Sequence, residues 1–405
     1  MPVLPAPQRP LPGTTALWRV ALRLLALCLG LLAWGAQAAH PPLVLSASQP
    51  VTEVWPAMRM LPDPGRTFAA QDLLEQHHAF SAVPDTQGTL GVRPEAVWLR
   101  VPLALAPAAS GRWVLDIDYA PLNRIDVTLA AGGRIVQQAT LGNQLPYSQR
   151  PLQSRSHAVE LLLEPGVQYD LLLRVQAQGA MVLPITLNTP KAHMGRALHE
   201  QMLQGVLTGL ALCLLVYSLA QWVSLRDVLF IQYALLISGS LLFSLQFFGV
   251  GAQYLWTDNL WMERHASGLS ALMATCGSFL FIGQALAAGD PHNRRMRTMR
   301  WGAAGTALLA VAFALDAFNT RALTAIVSIL GLVPALMGIP GALVRMRQGD
   351  AVGSTLLLAW LVYFIATATV IGVIRGWVPV NFWTLHSFQF GATLDMLLFM
   401  RVLGL

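Results

Sequence analysis

The string His199-Glu200-Gln201-Met202-Leu203 opens like a zinc-protease helix and does not complete one. That chemistry needs two histidines four residues apart on one helix face, with the glutamate between them as general base, and the second histidine is missing. His77 and His78 are adjacent and point in different directions, and no second pair stands at metal-ligand spacing. They read as solvated loop residues. A retinal Schiff base needs a lysine inside the membrane, yet the only lysine is Lys191, outside every apolar run. Serines and His386 occur within apolar runs, but without a nucleophile–base arrangement. The sequence therefore predicts no enzyme, no metal and no cofactor.

Binding fits the remaining polar residues better. Trp98 and Tyr147 offer ring faces, while Arg100, Asn123, Arg124, Asn143, Arg150 and Arg155 offer planar polar groups. Such a set suits a small sugar-like or otherwise polar ligand. Trp113 and Tyr119 fall on an apolar face and read as core. A second group sits in or beside the apolar runs. Asp395 lies six residues before Arg401, about 9 Å along a helix axis. It reads as a helix-end acid paired with an arginine of a neighbouring loop, Arg226 being the candidate. A proton relay would recruit more intramembrane acids. Asp395, Arg401 and Arg226 are the residues expected to transmit a signal.

Two kinds of element must position these groups. The chain is 55% hydrophobic and only 11% charged, where a soluble domain carries about 25% charged residues. The imbalance is local. Residues 39–197 hold 12 acids and 12 bases, and residues 198–405 hold 8 and 11 in long apolar runs. The net charge of +6 does not point to nucleic acid, because the basic excess lies in the leader and in loops between apolar runs, where topology signals belong.

Residues 1–38 have the form of a signal peptide: Arg9, Arg19 and Arg23, a short apolar run from Leu24 to Trp34, then Ala36-Gln37-Ala38 as a cleavage site. Residues 39–192 alternate with period two. In RWVLDIDY, Trp113, Leu115, Ile117 and Tyr119 share one face, with Asp116 and Asp118 opposite. AVWLRVPLAL and the segments 124–130, 134–140, 157–163, 169–177 and 182–189 behave alike. Short strands at this spacing indicate an antiparallel β-sandwich, jelly-roll-like, with one short helix within 66–80. The domain lacks cysteine: Cys28 lies in the leader, and Cys213 and Cys276 lie in apolar runs.

Over 198–405 seven apolar segments follow, at 200–223, 227–249, 266–288, 300–318, 321–344, 352–374 and 381–403, each near the ~20 residues that cross a bilayer. Pro334 and Pro340 interrupt the fifth. If the β domain is outside, the inner loops and C-terminus carry eight arginines (226, 294, 295, 297, 300, 345, 347 and 401) and the outer loops three (264, 321 and 375). The positive-inside rule and the leader then predict one topology. The expected architecture is an α+β multi-domain membrane protein, a sandwich followed by an all-α seven-helix bundle.

This serial order resembles the bacterial seven-transmembrane receptors with diverse intracellular signalling modules, with a type-2 extracellular domain. The carrying stretches are AVWLRVPLAL, RWVLDIDYAPLNRIDVTL, LGNQLPYSQRP and VQYDLLLRVQAQGAMVLPITL. In the membrane half they are GVLTGLALCLLVYSLAQWVSLRDVLFIQYALL, with Tyr217 and Arg226-Asp227, then RMRQGDAVGSTLLLAW and FGATLDMLLFMR. Asn143 stands where the family usually has aspartate, and Asp395 where glutamate is usual. The resemblance implies carbohydrate-like ligands sensed outside and a cytoplasmic output of the diguanylate cyclase or histidine kinase type. No such module follows Leu405, so the output is expected to be lost from, or separate to, this chain. The expected partners are a small extracellular ligand, the lipid bilayer, a cytoplasmic signalling protein and a second copy in a homodimer. The expected location is the bacterial inner membrane, with the N-terminal domain periplasmic and the C-terminus cytoplasmic. The alternative is a transport or uptake component with an accessory binding domain, which the scarcity of intramembrane charge argues against.

Overall fold

The computed structural model describes residues 42–76, 79–83, 88–287 and 294–404. The expected leader and the His77–His78 pair lie outside the described residues.

Among the described residues thirteen strands precede the long helices: β1 (Leu43–Leu45), β2 (Val51–Glu53), β3 (Arg59–Asp63), β4 (Ser81–Ala82), β5 (Thr89–Val92), β6 (Ala96–Leu105), β7 (Arg112–Ile117), β8 (Arg124–Ala131), β9 (Arg134–Leu141), β10 (His157–Leu162), β11 (Gln168–Gln176), β12 (Ala180–Val182) and β13 (Ile185–Asn188). One sheet runs β4-β3-β6-β11-β8-β9, with β1 added parallel to β6. The second runs β10-β7-β13-β2, and β12-β5 forms a small third piece. Every pairing in the two large sheets other than β1–β6 is antiparallel.

The period-two pattern explains the layering. Val97, Leu99, Val101 and Leu103 of β6 share one buried core with Trp113, Leu115 and Ile117 of β7, so the two sheets close on each other. The opposite face of β6 is covered as well. Helix α1 (Ala70–Glu75) lays Leu73 and Leu74 over Trp98, with Phe80 beside them. The opposite face of β7 carries Arg112, Val114 and Asp116, and β7 sits in the middle of its sheet.

The helices are α2 (Pro190–Leu225), α3 (Val228–Phe247), the short α4 (Val250–Tyr254), α5 (Leu260–Leu286), α6 (Arg294–Ala314), α7 (Thr320–Leu330), α8 (Val333–Arg347), α9 (Ala351–Arg375) and α10 (Phe382–Leu403). Among the described residues five spans are long and apolar enough to cross a membrane: α2, α3, α5, α7 with α8 taken together, and α9. Helices α6 and α10 cover the two other segments expected to cross. The starts follow capping chemistry. Thr189, Asp227, Asn259, Asn319, Asp350 and Asn381 each accept a hydrogen bond from a backbone N–H of the first turn. Asn381 and Thr384 complete a capping box. Between α7 and α8 the helix breaks at Gly331-Leu332, just before Pro334, which has no N–H to continue the ladder.

Helices α3 and α5 pack backbone to backbone. A Cβ on Gly239 would sit 2.2 Å from the Ala274 nitrogen, and one on Gly277 would sit 2.5 Å from the Leu236 nitrogen. Small residues allow this approach where no hydrophobic drive separates lipid from helix.

Candidate functional site

The outer face of β7 looks onto the beginning of α2 and the beginning of α10. Between them opens a cleft of about 1170 Å³. Its sheet wall carries Arg112, Asp116 and Asp118, and its helix wall carries His193, Arg196, Glu200 and His386. Trp55 adds an aromatic side chain to the lining, and the α9–α10 turn from Pro379 to Asn381 adds polar and apolar groups. The volume falls just above the range of about 300–1,000 Å³ common for small-ligand sites.

At the floor, one arginine joins three elements. Arg155, in the segment before β10, bonds Asp118 at 2.8–2.9 Å, stands 3.5 Å from Glu200 on α2, and donates to the Phe248 carbonyl after α3 at 3.4 Å. Burial alone would weaken its proton hold, but Asp118 and Glu200 outweigh burial and keep the guanidinium more firmly charged than usual. Glu200 also accepts from His386 Nε2 at 2.9 Å and from Gln204 at 3.0 Å. His386 stacks on Phe248, with ring centroids 4.8 Å apart. One turn further along, Gln204 and Gln389 exchange two amide hydrogen bonds of 3.1 and 2.8 Å. The Arg155 backbone meets the bundle at Gly249, where a Cβ would lie 2.3 Å from the Arg155 carbonyl oxygen.

The structure scatters the residues expected to bind ligand. Arg155 lines the cleft. Trp98 lies under α1 and donates to Asp63 at 3.2 Å. Arg100 is held by Asp170 at 2.7 Å, and Arg124 by Asp126 at 3.0 Å, both on the other sheet. Asn123 and Asn143 bond each other at 3.1 Å and brace the turn after β9. Arg150 lies over the Tyr147 ring, 5.2 Å from its centroid. Both are buried beside the α4–α5 turn, where Asp258 accepts from the Ser148 N–H at 2.8 Å.

Of the expected transmission residues, Arg226 is the exposed left-handed cap of α2, and Arg401 is exposed in the last turn of α10. The pairing of Asp395 with Arg226 is not found. Among the described residues Asp395 forms no ion pair, and its Oδ1 is buried without a hydrogen bond. Sequence reasoning missed Asp116, Asp118, His193 and Glu200 as site residues. Their signals were present: two acids opposite Trp113 on one strand, and an acid at the start of an apolar run.

Two family models match the chain. One, described as 7TM diverse intracellular signalling, covers residues 200–405, just over half of the 405 residues. The other, described as 7TMR-DISM extracellular 2, covers residues 56–189. No curated protein was found to match.

Proposed function

Because the chain belongs to the seven-transmembrane receptors with diverse intracellular signalling modules, a family of membrane sensors, we propose that it is a non-enzymatic receptor of the bacterial inner membrane. Residues 39–192 form the periplasmic sensor, residues 198–405 form the seven-helix transmembrane domain, and the C-terminus faces the cytoplasm. Arginine placement supports this orientation, with eight at the far ends of the helices and three at the ends near the sheets. Exposed Trp261, Trp377 and Trp383 at the sheet-side ends suit a membrane–water interface.

The cleft takes a small polar, carbohydrate-like ligand. Its occupancy shifts the Arg155–Glu200–His386 link and so moves α10 against α2. The shift travels along α10 to Asp395 and Arg401, close to the inner membrane face, where an output module of the diguanylate cyclase or histidine kinase type receives it. The observation that carries this reading is the seating of one cleft between the sensor sheet and the first and last long helices. A ligand alters such a bundle only by binding its two arrangements unequally.

The test uses the full chain in lipid nanodiscs, screened by thermal shift against glycans and small metabolites. Spin labels at positions 226 and 401 report the far ends of α2 and α10. A ligand that raises the melting temperature and changes the label distance supports the receptor. No shift from any compound, together with solute flux into vesicles, overturns it in favour of transport.

A further inference from the structure

We propose that the cleft selects a ligand bearing a protonated primary amine, seated against Asp116. This deepens the receptor reading and rests on it. Among the described residues the cleft is lined by five carboxylates, on Glu53, Asp116, Asp118, Glu160 and Glu200, and by three guanidinium groups. All three arginines are engaged. Arg112 grips Glu160 through two bonds of 2.6 and 3.0 Å. Arg155 is shared by Asp118 and Glu200. Arg196 donates to Thr186 and Asn188 at 3.0 and 3.2 Å.

Asp116 is left without such a partner. It is 5% exposed, and its Oδ1 accepts no hydrogen bond. Among the described residues no arginine or lysine pairs with it. His193 Nδ1 stands 3.5 Å from Oδ2, the Ser156 hydroxyl also bears on this carboxylate, and the Arg196 charge acts on it from beyond ion-pair distance, so no full cationic partner touches it. A buried carboxylate short of donors is costly. An ammonium group supplies one positive charge and three donors at one point, which is what this corner lacks. A carboxylate or phosphate on the ligand would instead meet Asp116, Asp118 and Glu200. Asp116 belongs to β7 and His193 to α2, so an amine seated between them touches both walls of the cleft. Amino sugars and hydroxylated amines combine this head group with a polar body.

The experiment measures binding of glucosamine, glucose, glucuronate and ethanolamine to the full chain in nanodiscs by calorimetry. Glucosamine is expected to bind at least about tenfold tighter than glucose, the scale of one charge-assisted hydrogen bond, and glucuronate weakest. Asp116→Asn, which keeps the shape, is expected to erase the preference for glucosamine over glucose. Glucose or glucuronate binding as tightly as glucosamine overturns the amine assignment and leaves the receptor standing. A preference that survives in Asp116→Asn overturns the seat at Asp116. If no probe binds, the amine assignment falls. The receptor reading then depends on its own wider screen. The wild-type ranking needs no variant, so a poorly folding Asp116→Asn does not protect the proposal.

Discussion

His386 Nε2 lies 2.9 Å from Glu200 Oε1, although 186 residues separate them. That contact ties α10 to α2 at the point where Arg155 brings in the sensor sheet. Breaking a buried ion pair by removing one member costs about 3–5 kcal/mol, because the remaining charge, here that of Arg155, loses its partner. Glu200→Ala should therefore lower the melting temperature of the full chain. Glu200→Gln and His386→Gln, alone and together, should show a coupling of about 1–3 kcal/mol in a double-mutant cycle. Additive losses would mean that the contact carries no energy of its own.

The Gln204–Gln389 pair makes a different prediction. Each amide both donates to and accepts from the other, and both residues are buried. Changing one to leucine leaves the other unsatisfied, at a cost of about 1–3 kcal/mol, whereas replacing both with apolar groups is nearly neutral. Gln204 also donates to Glu200 at 3.0 Å, a bond lost whenever Gln204 is changed, so the double Leu variant should melt closer to wild type than Gln204→Leu alone. If the pair sets the register between α2 and α10, the double variant should still lose the ligand-induced change in the 226–401 label distance.

The fold was legible in the sequence where one periodicity ruled a whole element. RWVLDIDY alternates over its full length and its first six residues became β7, with Trp113 in the core between the sheets and Asp116 on the cleft side. Most apolar runs became helices near their expected bounds, but α2 begins at Pro190, ten residues before its expected start, and the fifth run is divided between α7 and α8. Asp227, Asp350 and Asn381 cap the starts of α3, α9 and α10. Short β1, β2 and β4 were not legible, because two or three residues carry no period. The cleft was hidden for another reason. Asp116, Arg155, Glu200 and His386 come from four distant segments, and only packing of the sheet against the bundle brings them together. Aromatic and arginine content favoured Trp98 and Arg100, yet each is satisfied by an acid inside its own sheet.

His157 predicts a pH response of the β domain. It is 1% exposed, its Nε2 lies 3.2 Å from the Ala120 carbonyl, and its Nδ1 has no partner. Burial first, and the Arg150 charge second, push its pKa down to about 3. The unfolded chain binds this proton near pH 6.5, while the fold refuses it until about 3. Stability from this site is therefore full above pH 6.5 and declines by about 1.4 kcal/mol per pH unit below it. Tryptophan-fluorescence melts of the full chain between pH 7.5 and 5 should show this decline. In His157→Gln the slope should be shallower, whatever its starting stability. An unchanged slope would assign the acid sensitivity to the carboxylates instead.

Glycine positions along the helices separate packing from lipid contact. Gly239 and Gly277 lie where α3 and α5 touch through their backbones, with less than 3 Å for an added carbon. Gly205 and Gly209, on α2, have no atom within 4 Å of that position. A methyl group at either of the first pair must push two helices apart and disturb a close-packed core. Gly239→Ala and Gly277→Ala should each cost about 1–3 kcal/mol, the scale of overpacking. Gly205→Ala and Gly209→Ala should be neutral or stabilising by up to about 1 kcal/mol, because alanine favours the helix and meets nothing. Melting temperatures of the four purified variants decide the matter. Losses at Gly205 and Gly209 as large as those at Gly239 and Gly277 would mean that α2 is covered by another chain.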